Sequence, residues 1–394
     1  MIYHDFQNIK LSALGFGMMR LPTLEDQSID EEHVFRMVDY ALEHGVNYFD
    51  TAYPYHGSQS EITAGKALSR YPRDSFYLAT KYPGHQTADT YDPAEIFNEQ
   101  LQKCRVDYFD FYLLHNVCEA SIPVYEDPRW GIIDYFVEQK KQGKIRHFGI
   151  SSHALPENLE KFLDRWGEHI EFCQIQMNFL DWTLQNAERK YEILTERGIP
   201  VWVMEPLHGG RLCKLSEEAV LRLKTLRPEE TVPGWAFRWL QGLPNVGMVL
   251  SGMSNLDQMK ANIATFETMA PLTDAENDVL MQIADEMKNA LPCTGCRYCC
   301  DGCPMGLDIP KLINAYNDAR FQAAFTVPMM LDTLPEDKLP SACIGCGQCA
   351  QICPQKIDIP RAMKEFSELI PKLPNWAKVC EERAAAARAL KKQG

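Results

Sequence analysis

The sequence predicts an α/β protein: a (β/α)8 TIM barrel over residues 1–285, then a small, mainly α-helical domain over 286–394. Three observations carry this. Eight short runs rich in Val, Ile, Tyr and Phe alternate with segments of helical apolar spacing, the order expected of parallel strands joined by crossover helices. The length of 394 residues exceeds one such barrel by about the size of a small module. Cysteine usage then changes abruptly, since only Cys104, Cys118, Cys173 and Cys213 of the fourteen cysteines precede residue 290.

The first strand is read from LSALGFGMM (11–19). In the following SIDEEHVFRMVDYALEHG, Ser28 and Glu31 make a capping-box signature, Val34, Met37, Val38 and Ala41 form one stripe, and Gly45 ends the helix. Further strands are NYFDTA (47–52), FYLATKY (76–82), DYFDFYLLH (107–115), IRHFGISSH (145–153), FCQIQMNF (172–179), PVWVMEPL (200–207) and VGMVLSGM (246–253). Helices are expected around 59–69, 93–104, 128–142, 155–166, 183–197 and 230–241. An open doubly wound sheet is the alternative, but no G-x-G-x-x-G phosphate turn follows the first strand.

The formal net charge of −14 sets long-range repulsion against phosphate backbones and anionic lipid, so neither nucleic acid nor membrane is an expected partner. The N-terminus has no basic segment leading into an apolar run, and no stretch approaches the roughly 18 apolar residues of a membrane span. A cytoplasmic, reducing location is expected. There, clustered cysteines read as metal ligands rather than disulfides.

In such a barrel the chemistry sits at the carboxyl ends of the strands. Asp50, Lys81 and His115 occupy that end of three successive strands, about one β/α unit apart, and Tyr55 follows on the loop above Asp50. A carboxylate, an ammonium, a phenol and an imidazole at one mouth make a proton donor for a carbonyl. Tyr55 would be the acid, Lys81 would pull its pKa down, Asp50 would hold Lys81, and His115 would orient the carbonyl oxygen. Tyr53 and His56 are close enough in sequence to compete for the acid role.

DTAYPYHGSQSE, the strand ends ATKY and YLLH, and FGISSH together resemble the aldo-keto reductase signatures over roughly residues 10–265. That resemblance implies the catalytic tetrad Asp50, Tyr55, Lys81 and His115, and an extended NADP or NAD bound without a Rossmann fold. It implies that Ser151 and Gln174 meet the nicotinamide carboxamide, that Met204, Pro206 and Leu207 pack on the ring, and that Ser152 and Gly17 belong to the cofactor site; Met18 and Met19, at the end of the first strand, are expected to line the pocket. The adenosine phosphates are expected on Gly252, Met253, Gln258 and Asn262. Ser152 stands where the family usually has asparagine, and Met204 replaces an aromatic. Gly252 and Gln258 fall where NADPH-preferring members carry basic residues, which leaves the choice of dinucleotide open.

Cys293, Cys296, Cys299, Cys303 and Pro304 spell C-x2-C-x2-C-x3-C-P, and Cys343, Cys346, Cys349, Cys353 and Pro354 repeat it fifty residues on. GLDIPKLI and KIDIPRAM extend the duplication. This is the spacing of two-cluster ferredoxins, in which three thiolates hold one [4Fe-4S] cube and the fourth reaches the other. The expected sets are Cys293, Cys296, Cys299 with Cys353, and Cys343, Cys346, Cys349 with Cys303. Zinc is the competing reading, although it would need neither the third close cysteine nor the proline. Cys300 has no place in the pattern, and Cys380 opens an expected helix, CEERAAAARALKK. The module resembles the helical dicluster ferredoxins appended to redox enzymes, with LINAYNDARFQAAF (312–325) as a helix and each DIP starting another.

The expected function is reduction of a small aldehyde or ketone, or oxidation of the alcohol, with a nicotinamide cofactor. Two [4Fe-4S] clusters would serve electron transfer, and a redox protein is a candidate partner. A ferredoxin-fed enzyme with a flavin in the barrel mouth is a second reading, though no flavin motif supports it. A non-catalytic dinucleotide-binding redox sensor is a third.

Overall fold

A computed structural model of the chain describes residues 1–373 apart from Gln27, Thr87, Ala120 and the segments 288–290, 292, 294–296, 322–325 and 354–355. The chain divides into two compact units, Met1–Gln282 and Ile283–Gly394.

The first unit is a closed barrel of eight parallel strands. In chain order these are β3 (Leu14–Gly17), β4 (Tyr48–Asp50), β5 (Tyr77–Tyr82), β6 (Phe109–Val117), β7 (Ile145–Ser152), β8 (Cys173–Gln176), β9 (Val201–Met204) and β10 (Val246–Ser251). Each pairs with the next and β10 closes on β3, so the open-sheet alternative is excluded. The strands are short and almost wholly buried because helices cover their outer face while side chains fill the interior. Gly149 on β7 shows how tight this is: a Cβ there would stand 2.6 Å from the carbonyl oxygen and ring of Phe172.

An antiparallel hairpin not foreseen from the sequence precedes the barrel, β1 (Tyr3–Phe6) and β2 (Ile9–Ser12). It takes Leu11 and Ser12 from the run expected as one strand over 11–19, and the barrel strand itself is confined to Leu14–Gly17. Phe6 closes the lower end of the barrel, its ring 5.0–6.3 Å from those of Phe111, His147, Phe172 and Trp202. With Tyr48, Leu113 and Met248, the rings of Phe6, Phe111, Phe172 and Trp202 form an apolar layer. Chemistry is thereby left to the other end.

The helix Glu31–Glu43 buries the expected stripe Val34, Met37, Val38 and Ala41. Its cap is Asp30, which accepts from the His33 amide, whereas Ser28 donates to Asp26; the expected capping box of Ser28 and Glu31 is therefore replaced by a simple aspartate cap two residues later. The helix Ile132–Lys141 starts four residues later than expected, and Ala187–Glu196 follows a left-handed Asn186 that ends the short turn Asp181–Leu184. Glu217–Leu226 is an additional helix capped by Ser216.

In the second unit the duplication is visible in the backbone. Arg297 and Gly347, and again Gly306 and Lys356, are pairs fifty residues apart that all have positive φ. Each member of the first pair opens a short helix, Tyr298–Asp301 and Gln348–Ile352. Each DIP opens a longer one, Ile309–Phe321 and Ile359–Leu369, with proline in the first turn where its missing N–H costs nothing. The two longer helices pack through Ile313, Tyr316, Met363 and Phe366. The C-terminal end of the expected 312–325 helix and the helix expected from Cys380 lie outside the described residues.

Candidate active site and cluster-binding cysteines

The carboxyl ends of β4 and β5 put Asp50 beside Lys81, with Nζ 2.5 Å from Asp50 Oδ1 and 2.8 Å from the Thr51 carbonyl. Lys81 is 1% exposed, so its charge must be matched within the protein. Its third neighbour is Tyr55, whose hydroxyl lies 3.5 Å from Nζ. The Tyr55 ring meets His115 from β6 edge to face at 5.7 Å. On the far wall Gln174 donates to Asp50 Oδ2 at 2.7 Å. Ser151, the register partner of Gln174, accepts the Asn116 amide at 2.8 Å. All four tetrad candidates thus converge, and Gln174 and Ser151 join them.

Tyr53 and His56 do not. The Tyr53 hydroxyl donates to Glu99 at 2.9 Å under the Lys103 ammonium, and His56 Nε2 accepts the Leu21 amide at 3.1 Å. Burial and then Glu99 push the Tyr53 phenol up to about 12.

The electrostatics correct one expectation. Burial pushes the Tyr55 phenol above its ordinary value, and Lys81 opposes this without overcoming it. Burial alone would lower Lys81, but Asp50 and then Tyr55 outweigh it and hold the ammonium charged. Burial, followed by the Lys81 charge, holds His115 well below the usual imidazole range, so the ring is neutral. The resting site is therefore a protonated phenol facing a neutral imidazole.

The other expected cofactor residues are distributed around this mouth. Gly17 ends β3 opposite Asp50, and Met19 beyond it is half exposed. Met204 ends β9 beside Gln176, followed by buried Pro206 and partly buried Leu207. Ser152 is turned to Val117, donating to its carbonyl at 3.2 Å. After β10, Met253 is buried, Gln258 accepts the Ser254 amide at 2.8 Å, and Asn262 donates to Ser251 Oγ at 3.1 Å. The space a side chain at Gly252 would enter is bounded by Arg20, which pairs with Glu205 at 3.1 Å. Neither Arg20 nor Glu205 was singled out from sequence, because the pair joins loops 185 residues apart. His85, also missed, sits on the loop after β5 with its ring 4.5 Å from that of His115.

In the second unit Cys303, Cys343, Cys346 and Cys349 line one cavity with Met305, Leu307, Ile309 and Met363. Burial, and then the neighbouring thiols of Cys343, Cys346 and Cys303, push the Cys349 thiol up. Among the described residues no three such side chains close on a single metal ion. Cys293, Cys299 and Cys353 border or join the same apolar core, as does Cys300. Cys296 lies outside the described residues.

Comparison with known proteins adds the following. The model of the aldo/keto reductase family matches residues 13–285, and that of the 4Fe-4S dicluster domain matches residues 292–357. A probable aldo-keto reductase 1 of Glycine max is 28% identical over 52% of this chain, which spans 58% of that protein's length. An NADH-specific methylglyoxal reductase of Escherichia coli is 23% identical over 71% of this chain and 97% of its own. The solved holo form of the aldo-keto reductase AKR11C1 from Bacillus halodurans superposes with a TM-score of 0.59 at 29% identity, covering 72% of this chain and 96% of the other. No helix among the described residues is long and apolar enough to cross a membrane.

Proposed function

The chain belongs to the aldo/keto reductase family and carries a 4Fe-4S dicluster domain; from that premise we propose that it is a reductase of small aldehydes or ketones that uses NADH. The observation that carries the reading is the contact chain Gln174–Asp50–Lys81–Tyr55–His115 at the barrel mouth.

The reduced nicotinamide, when bound, supplies the hydride for the carbonyl carbon. Tyr55 donates its proton to the carbonyl oxygen as negative charge develops there. The phenolate left behind faces the Lys81 ammonium, which Asp50 holds in place, and solvent returns the proton. His115, neutral, donates an N–H to the same oxygen and fixes its direction. Gln174 spends its amide N–H on Asp50 and keeps its Oε1 for the carboxamide, while the Ser151 hydroxyl is free to donate.

Preference for NADH is supported by the want of a cation at Gly252 and Gln258, by the engagement of Arg20 with Glu205, and by the relative whose name is NADH-specific. The four thiols around one cavity fit a [4Fe-4S] cube held by Cys343, Cys346, Cys349 and Cys303. Cys293, Cys296, Cys299 and Cys353 would hold the other. When bound, such clusters pass single electrons, which suits exchange with a redox protein.

Anaerobically purified protein should oxidise NADH in the presence of methylglyoxal or glyceraldehyde, with one alcohol formed per NADH consumed. NADH oxidation that proceeds equally without any carbonyl compound would overturn the proposal.

A further inference from the structure

Resting on the carbonyl-reductase reading, we infer that His56 is a positioning residue for the acid Tyr55: its imidazole latches the loop after β4 to the turn Met18–Arg20 and so fixes where the neighbouring phenol stands. The latch holds while Nε2 is an acceptor and opens when the ring is protonated.

Two side chains of this loop reach the same turn. His56 Nε2 accepts the Leu21 amide at 3.1 Å, and Ser60 Oγ donates to the Met18 carbonyl at 3.0 Å. Ser60 Oγ also meets Thr51 Oγ1 at 2.8 Å, and the Thr51 carbonyl is the one that accepts from Lys81. Tyr55 stands between these anchors, its carbonyl accepting the Ser60 amide at 3.2 Å. The turn is tied on its far side as well, where the Ser254 hydroxyl donates to the Arg20 carbonyl at 2.8 Å. The loop needs such a hold. His56, Gly57 and Ser58 have φ of 51°, 60° and 68°, and a left-handed run with side chains on two of its three residues is unfavourable unless tertiary contacts fix it.

Because Nε2 accepts an N–H, the neutral ring carries its proton on Nδ1. Burial, opposed by a backbone hydrogen bond at Met19, holds the imidazole below its usual range, so the acceptor form is the resting one. The charged groups on the elements around it are already engaged: Arg20 of the turn pairs with Glu205, and Glu61 of the following helix accepts from Thr80 and Gln100. The phenol beside it in the loop is Tyr55 itself. Protonation would put a second N–H on Nε2, facing the Leu21 N–H. Two donors cannot bond to each other, and the loop then loses one of its two ties to the turn.

The test sets two amides against each other in anaerobic methylglyoxal reduction with NADH. His56→Gln places an acceptor oxygen at about the reach of Nε2 and should keep kcat within about threefold of wild type. His56→Asn suits a left-handed backbone better but is one bond too short to reach Leu21; it should lower kcat at least about tenfold with KM for methylglyoxal within about twofold. If position 56 mattered only for its backbone, asparagine would equal or exceed glutamine, and that order overturns the inference. A second readout needs no folded asparagine variant. Followed by stopped flow, wild-type kcat should fall as pH drops below about 6.5, whereas His56→Gln, which does not titrate there, should stay flat to about pH 5. Superposed profiles overturn the inference as well. A wild type that reduces no carbonyl compound sinks the parent reading; reduction with the wrong order of variants or with superposed profiles sinks this inference alone.

Discussion

Lys81 Nζ lies 2.5 Å from Asp50 Oδ1 with both side chains almost fully withdrawn from solvent. Two residues 31 positions apart thereby form one charged unit at the centre of the barrel mouth. Removing either partner strands the other's charge in the interior, which typically costs about 3–5 kcal/mol.

Asp50→Asn and Lys81→Met should each lower the denaturant midpoint, while the double variant should be more stable than the sum of the two losses predicts. Urea unfolding of the four proteins checks this. Additive losses would show that the pair is not coupled.

The pH dependence follows from the directions of the shifts. A donor phenol whose pKa lies above the usual value of about 10 keeps its proton at all lower pH, so its contribution is complete at neutral pH and is lost as pH rises through the raised value. His115 is neutral down to below the ordinary imidazole range, so it imposes no acid limb at pH about 6.5. Carbonyl reduction should therefore be flat from about pH 6.5 to 9 and decline above about 10. A decline centred near pH 6.5 would contradict the assignment of His115 as a neutral donor.

Much of this site was legible in the sequence because it rests on local regularities. Asp50, Lys81 and His115 announce themselves as polar residues at the ends of apolar runs one β/α unit apart. Tyr55 was preferred to Tyr53 and His56 through the family resemblance rather than through local chemistry, since all three share one loop and differ in where they point. The hairpin of Tyr3–Phe6 and Ile9–Ser12 was missed because four-residue strands with mixed burial carry little periodic signal. His85 was missed because its partner is thirty residues away, and Arg20–Glu205 because nothing in either loop refers to the other.

Glu171 ties the N-terminal hairpin to the barrel, accepting from Gln7 at 2.7 Å and from the Phe148 amide at 2.9 Å, beside Lys140 and His147. Burial alone would raise its carboxyl, but the bonds to His147, Lys140 and Gln7 outweigh this and bring it to about 2. A folded pKa below the unfolded one contributes stability above about pH 4.5 that is lost as pH falls toward 2. Glu171→Gln should cost on the order of 1–3 kcal/mol at pH 7 and less at pH 3, seen in urea unfolding at the two values. An equal loss at both would exclude the linkage.

The choice of dinucleotide should turn on one position. Gln258→Arg supplies a cation where NADPH-preferring relatives carry one and should raise kcat/KM for NADPH relative to NADH at least about tenfold. An unmoved ratio would place the 2'-phosphate elsewhere.

The crossed cysteine sets make a quantitative prediction. Cys303→Ala should abolish the cluster held by the second run, and Cys353→Ala that held by the first, so each variant should retain about four of eight irons. Loss of both clusters from either variant, or of neither, would refute the crossed sets.

The most direct test of the central claim is single-turnover reduction of methylglyoxal by anaerobic Tyr55→Phe protein saturated with NADH. The tetrad account predicts a rate lower by about 10²–10⁴ with the affinity for NADH unchanged. A rate within about threefold of wild type would mean that another group protonates the carbonyl oxygen.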